Sequence, residues 1–235
     1  FKRIGFDDSR RGTLLFDYVW LIRQFKPRAF LLENVPGLGE VDGGVQLAAA
    51  MQQLQAAGYT VAEPKVINCS DYGVPQERKR LFVLGVRGRR TAVWNLEPRA
   101  CVPCSSALCE PVEGLPNHLT RSHLASSVLR YMQLDYGARE KRGRVDRLDP
   151  DKPSKTVIAG GSGGGGRSHL HPEIPRTLSA RETARIQTFP DDYVFCGPAA
   201  RQINQVGNSV PPVLAVQIAA ELRHLIGAAQ KRKSG

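Results

Sequence analysis

Three groups of residues in this sequence have types and spacing suited to chemistry. They are a glutamate closing an apolar run, two arginines two positions apart, and a Gly-Asn-Ser segment ahead of two prolines. Glu33 follows Ala29-Phe30-Leu31-Leu32 and precedes Asn34, Val35 and a Pro36-Gly37 turn. The end of such a strand is where open α/β sheets hold ligands. A carboxyl in a cleft there can act, in its acid form, as a hydrogen-bond donor. The bland alternative is a surface carboxylate at a strand end, but the apolar strand before it and the tight turn after it favour a cleft. Arg78 and Arg80 precede an extended segment, so both are expected on one side, with Lys79 on the other. Two converging guanidiniums form a fork for a carbonyl oxygen or a phosphate; standing alone, the pair would read as an ordinary basic strand edge. Gly73, Pro75 and Gln76 mark a shaped loop just before them. Gly207-Asn208-Ser209 reads as a turn ahead of a helix. Asn208 or Ser209 could cap that helix, contact a ligand, or both, and spacing does not separate these readings.

The cysteines are less informative. Cys101-x-x-Cys104-x4-Cys109 is followed by His118 and His123, enough ligands for zinc, but the spacing matches no strong zinc class and no metal is expected. Cys69 reads as a packed thiol at a strand end.

The elements that must position these groups follow from periodicity. Leu14, Leu15, Tyr18, Leu21, Ile22 and Phe25 recur at helical spacing, which predicts a helix over 13–25, ended by Pro27. A short strand over 29–32 follows, then a helix over 45–57 with Leu47, Met51 and Leu54 on one face and Gly58 as its stop. Residues 59–67 and 81–86 read as strands. The second is continuously apolar, as in a parallel sheet covered on both faces. Alternating helix and strand suggest half of a doubly wound α/β domain. From Gly88 to Pro175 the periodicity fails, apart from a helix near 124–134, and the run from Gly160 to Gly166 is expected to be the most flexible segment. Ser179 and Glu182 form a capping box for a helix through about Thr188. A last helix starts at Pro211-Pro212, turns Leu214, Ile218, Leu222 and Leu225 inward, and is expected to stop at Gly227 ahead of a disordered Lys231-Arg232-Lys233 tail.

The bulk composition sets limits on the partners. A chain of 235 residues can bury a real core, and 41% hydrophobic with 23% charged residues is ordinary for a soluble globular protein. The excess of 33 Lys+Arg over 22 Asp+Glu, a net +11, favours a polyanionic partner. No apolar run approaches the ~20 residues that span a bilayer. The five cysteines suggest no secreted disulfide framework, so a reducing cytoplasm is expected. The chain opens at Phe1 rather than Met, which reads as a cut.

Four blocks now stand in order: Phe30-Leu31-Leu32-Glu33-Asn34-Val35, Gln76-Glu77-Arg78-Lys79-Arg80, Arg181-Glu182-Thr183-Ala184-Arg185-Ile186-Gln187-Thr188-Phe189-Pro190 and Gln205-Val206-Gly207-Asn208-Ser209-Val210-Pro211-Pro212. Together they resemble the later motifs of the bacterial and phage DNA cytosine-C5 methyltransferases. Asp8-x-Arg10-Arg11-Gly12-Thr13-Leu14 resembles the segment after that family's nucleophile loop. The resemblance covers residues 1–87 and about 150–226. It implies an α/β fold with a partial Rossmann-like S-adenosylmethionine-dependent methyltransferase sheet, plus a small irregular target-recognition domain. Residues 1–87 and 200–235 would form an incomplete catalytic domain, and 88–199 the target-recognition domain.

The implied reaction is methyl transfer from S-adenosyl-L-methionine to C5 of a cytosine flipped out of double-stranded DNA. By this resemblance Glu33 contacts N3 and the exocyclic amine, and Arg80 with Arg78 holds the cytosine O2 and the nucleophile loop. Gln76 and Asn34 orient these groups, while Asn208, Ser209, Thr13 and Leu14 border the methyl donor. The family's Phe-x-Gly-x-Gly loop and the nucleophile's Pro-Cys-Gln are absent from the sequence. The chain is therefore expected to be a fragment, inactive alone, that acts on double-stranded DNA. It is either truncated from a longer chain or one half of a split enzyme whose other half is a complementary N-terminal polypeptide. The alternative is a non-catalytic DNA-binding or regulatory module derived from such an enzyme.

Overall fold

The computed structural model describes residues 14–88, 91–141, 145–159 and 169–230. The elements in chain order are α1 (Leu14–Phe25), β1 (Ala29–Asn34), α2 (Val45–Ala56), β2 (Tyr59–Val61), β3 (Lys65–Asn68) and β4 (Lys79–Arg87). They continue with α3 (Ser105–Leu108), α4 (Ala125–Met132), β5 (Arg139–Glu140), β6 (Val145–Asp146), α5 (Ala180–Ile186), α6 (Ala199–Asn208) and α7 (Pro212–Gln230). The expectations for Thr13, the Gly160–Gly166 run and the Lys231–Lys233 tail fall outside the described residues. The chain divides into two compact units. The first is Phe1–Ile67, Lys79–Leu96 and Gln217–Gly235, and the second is Asn68–Arg78 and Glu97–Val216.

The first unit is α/β. Its central strand, β4, pairs antiparallel with β1 on one side and β2 on the other, and β3 also pairs with β4. The parallel sheet expected from β4's continuous apolar run is thus corrected. The run reports burial on both faces, not strand direction. Phe30, Leu81 and Val83 pack with α1 (Leu15, Val19, Ile22) and α2 (Leu47, Ala50, Leu54). Leu84 and Val86, on the other face, pack with Ala62, Ala92 and Leu225 of α7. The Phe30 ring lies over Gly85, where an added Cβ would fall 2.2 Å from the ring, so this crossing requires glycine.

Only one of α1's two apolar stripes is buried, since Leu14, Leu21 and Phe25 are exposed. Tyr18 donates from its hydroxyl to the carbonyl of Leu31 at 2.9 Å, and burial pushes its pKa up to about 12. The expected strand over 59–67 is two strands. The break at Ala62-Glu63-Pro64 includes a proline, which has no N–H for a ladder, and Trp94 Nε1 bonds the Glu63 carbonyl there.

The second unit has little regular structure and a core of Cys104, Leu148, Val157, Leu178, Ala184, Ile186, Phe195 and Val206. The capping box at α5 forms as the sequence indicates: Ser179 Oγ accepts from Glu182 N, and the Glu182 carboxylate accepts from Ser179 N. Buried polar groups stand in for sheet here. Arg181 donates to the carbonyls of Pro116, Pro190 and Tyr193, and the Asn117 amide brackets both backbone groups of Phe195. Two expectations near the carboxyl terminus are corrected. Gly207-Asn208 ends the helix α6 rather than forming a turn, and α7 runs through Gly227 to Gln230.

Candidate active site

The sheet register brings Glu33 to Arg80. Glu33 pairs with Phe82, and side chains two apart on a strand share a face. Arg80 is therefore Glu33's diagonal neighbour, within reach of a long side chain. Its Nε lies 3.0 Å from Glu33 Oε1, while its Nη1 donates to the Lys79 carbonyl at 2.8 Å. Both side chains are partly buried at the end of a strand pair whose interior is apolar. A fixed carboxyl and a fixed guanidinium side by side can grip a planar ring that carries an amine beside a ring nitrogen and a carbonyl oxygen.

Arg78 has different partners, because β4 begins at Lys79 and strand alternation does not govern the residue before it. The Arg78 side chain is buried in the second unit. Nη1 donates to the Val157 carbonyl at 3.1 Å, and Nη2 donates to those of Gly207 and Ser209 at 2.7 and 3.1 Å. Gln76 joins the same network. Its Oε1 accepts from Val157 N at 3.0 Å, and its Nε2 donates to Gln187 Oε1. Gln187 Nε2 in turn donates to the Ser209 carbonyl at 2.8 Å and to Ser209 Oγ at 3.2 Å. This network ties Gln76 and Arg78 to the segment through Val157 and to the end of α6. Gly207 permits it, since a Cβ there would lie 2.5 Å from Ala159 N. Gln187 and Gly207 were visible only as motif letters; nothing in their own spacing marks them as framework.

The remaining candidates are single positions. Asn34 Oδ1 accepts from Val35 N at 2.8 Å, fixing the turn after Glu33. Leu14 is exposed in the first turn of α1, and Asn208 is exposed at the end of α6. Ser209 is half-buried, and its hydroxyl donates to the Val206 carbonyl. Cys69 is buried and packed. Cys104 is also buried and donates to the Asp149 carbonyl; burial, aided by Asp149, pushes its pKa up to about 11, so it remains a thiol. Elsewhere in the second unit, Arg176 binds both carboxylate oxygens of Glu182, at 2.8 and 2.7 Å.

The sequence profile of the C-5 cytosine-specific DNA methylases matches residues 2–105 and 120–224. The chain belongs to this family. Among its methylase relatives, the Type II methyltransferase M.PspPI of Psychrobacter sp. (strain TA137) is 33% identical over 265 residues, covering 98% of this chain and 62% of the relative. The Type II methyltransferase M.Eco47II of Escherichia coli is 31% identical over 262 residues, with the same two coverages. The chain thus spans somewhat under two thirds of these relatives. A crystal structure of a prophage-encoded DNA modification methyltransferase from E. coli superposes with a TM-score of 0.79 at 23% identity, covering 94% of this chain and 75% of that one, which supports the α/β fold. Among the described residues of this methylase chain, no helix is long and apolar enough to cross a membrane.

Proposed function

We propose that this chain carries the cytosine-gripping part of a DNA cytosine-C5 methyltransferase acting on double-stranded DNA. The observation that carries the reading is the Glu33–Arg80 pair at the end of β1 and β4. A cytosine ring is a poor electrophile at C6 until the charge that builds on attack is stabilised. Glu33 meets N3 and the exocyclic amine and supplies a hydrogen bond that strengthens as charge develops. Arg80 holds Glu33 in place and offers its remaining N–H groups to O2. In this role Gln76 and Arg78 act as framework, through the carbonyls they bind.

The attacking thiolate does not come from Cys69 or Cys104, which are buried. The sequence contains no Pro-Cys-Gln. None of the five cysteines, the exposed Cys101, Cys109 and Cys196 included, stands in that context, so this reading takes its nucleophile from further polypeptide, in the same chain or a complementary one. S-adenosyl-L-methionine, when bound, supplies the electrophilic methyl group. The exposed Asn208 amide at the end of α6 suits its polar groups. Ser209, whose hydroxyl and carbonyl are already engaged, serves to fix the Asn208 backbone. Residues 88–199 are proposed as the target-recognition region. The net +11 charge supports a polyanionic partner, and the bacterial or phage-infected cytoplasm follows as the compartment.

The test mixes the folded chain with a polypeptide that supplies Pro-Cys-Gln and follows label from S-adenosylmethionine into duplex DNA. Label at cytosine C5 is expected. No transfer, with both polypeptides folded, contradicts the reading.

A further inference from the structure

The second unit contains a cavity that the proposed chemistry does not use. It has a volume of about 180 Å³, below the ~300–1,000 Å³ of sites for drug-sized ligands, and so suits a single flat ring. Tyr131, Leu170 and Pro175 form apolar walls, with Arg147, His171 and Glu173 as the charged or polar lining.

The polar groups are fixed unequally. Arg147 is committed: Nε and Nη2 donate to the Pro172 carbonyl, Nη1 donates to that of Leu134, and the guanidinium stacks 4.7 Å over Tyr136. His171 is only 8% exposed, and its Nδ1 accepts from the backbone N–H groups of Glu173 and Ile174 at 3.1 and 3.2 Å. An Nδ1 that accepts two amide protons carries none itself. Burial also pushes the ring's pKa down, so the neutral ring keeps its proton on Nε2. Among the described residues Nε2 has no protein partner. Glu173, at the rim, accepts the Tyr136 hydroxyl at 2.9 Å on Oε1, leaving its other oxygen as an acceptor.

An unpartnered imidazole donor and a carboxylate acceptor on one small apolar slot match a heterocycle that presents an acceptor beside an N–H. The carboxylate disfavours phosphate, and the volume excludes a whole nucleotide. We propose that this cavity binds the hydrogen-bonding edge of one nucleobase presented by a nucleic-acid strand, with His171 Nε2–H as donor and Glu173 as acceptor. That a DNA strand presents the base rests on the proposed function; the affinity of the cavity for a base does not.

The test is NMR of the full chain labelled with 15N-histidine, titrated with adenosine, cytidine, guanosine and thymidine. At least one nucleoside is expected to move the His171 Nε2–H signal saturably. Its methylated form lacking the edge N–H, such as N6,N6-dimethyladenosine for adenosine, is expected not to. Glu173→Gln, an exposed and foldable change, should weaken binding about tenfold by removing a charged acceptor. A homopolymeric DNA strand of the preferred base should bind more tightly than its nucleoside. The proposal is overturned if no nucleoside gives a saturable shift, or if the donor-free form binds as well as its parent. Equal or weaker binding of the strand overturns the strand as the source. A saturable shift upholds the cavity even where methyl transfer fails, so the two readings fail separately.

Discussion

Arg80 Nε stands 3.0 Å from Glu33 Oε1, two residues along β4 from Phe82, the residue that pairs with Glu33 in the sheet. A strand register, and not a loop, therefore sets the distance between the two charged groups. Sites built on strands hold their geometry more tightly than sites on loops.

Arg80→Ala separates function from stability. The pair is partly exposed, so as an ion pair it adds at most ~1 kcal/mol. The thermal midpoint should move by only a few degrees. Methyl transfer by the complemented enzyme should fall by about 100-fold or more, as when one preorganised donor is lost. Initial rates beside a thermal melt check this.

Gln187→Leu should act the other way, through stability. It leaves Gln76 Nε2 without its buried partner, while the Ser209 carbonyl keeps the bond from Arg78 Nη2. An orphaned buried group costs ~1–3 kcal/mol. Urea unfolding should show a lower midpoint by that amount with an unchanged slope.

Gly207→Ala sets two effects against each other. Propensity alone would favour alanine in a helix by ~1 kcal/mol. The new Cβ, however, would lie 2.5 Å from Ala159 N, a backbone atom that cannot swing aside. Overpacking of this kind costs ~1–3 kcal/mol, so net destabilisation is expected in the same urea assay.

Some of this was legible in the sequence and some was not. The helices over Leu14–Phe25 and Val45–Ala56 and the Ser179–Glu182 capping box depend on local spacing, and the sequence shows each of them. Strand direction in β4 does not depend on local spacing, because two-sided burial gives the same apolar run in either direction. Arg78 and Arg80 look alike as letters, yet the Arg78 guanidinium donates to carbonyls 79 to 131 residues away. Gly207-Asn208 reads as a turn by residue type. It is helical because α6 packs closely on the segment at Ile158-Ala159, a contact that leaves no mark in nearby residues.

Acid should weaken the second unit. Burial, first among the causes, lowers the pKa values of His123, His169 and His171 from 6.5. The unfolded chain then takes up protons first as pH falls through about 6.5, and the folded state loses stability until its own lower pKa values are reached. Glu182 adds to this at lower pH. Burial opposes its ionisation, but the Arg176 and Ser179 bonds pull its pKa below 4.5, so its contribution is present above that value and lost as pH falls through the folded one. Urea midpoints should decline between about pH 7 and pH 5. Replacing His169 by Gln should flatten the decline, while a flat profile for the unaltered chain would contradict the assignment.

The Glu33 carboxyl is the centre of the account, and Glu33→Gln tests it most directly. The substitution keeps the size of the side chain and its contact with Arg80 while removing the acid. Turnover should be measured with S-adenosylmethionine and duplex DNA in the complemented enzyme, alongside DNA affinity and thermal midpoint. The expected result is DNA binding within about twofold of the unaltered protein, a near-unchanged melt, and turnover lower by ~100-fold or more. Turnover close to that of the unaltered protein would contradict the role given to Glu33 and, with it, the Glu33–Arg80 site.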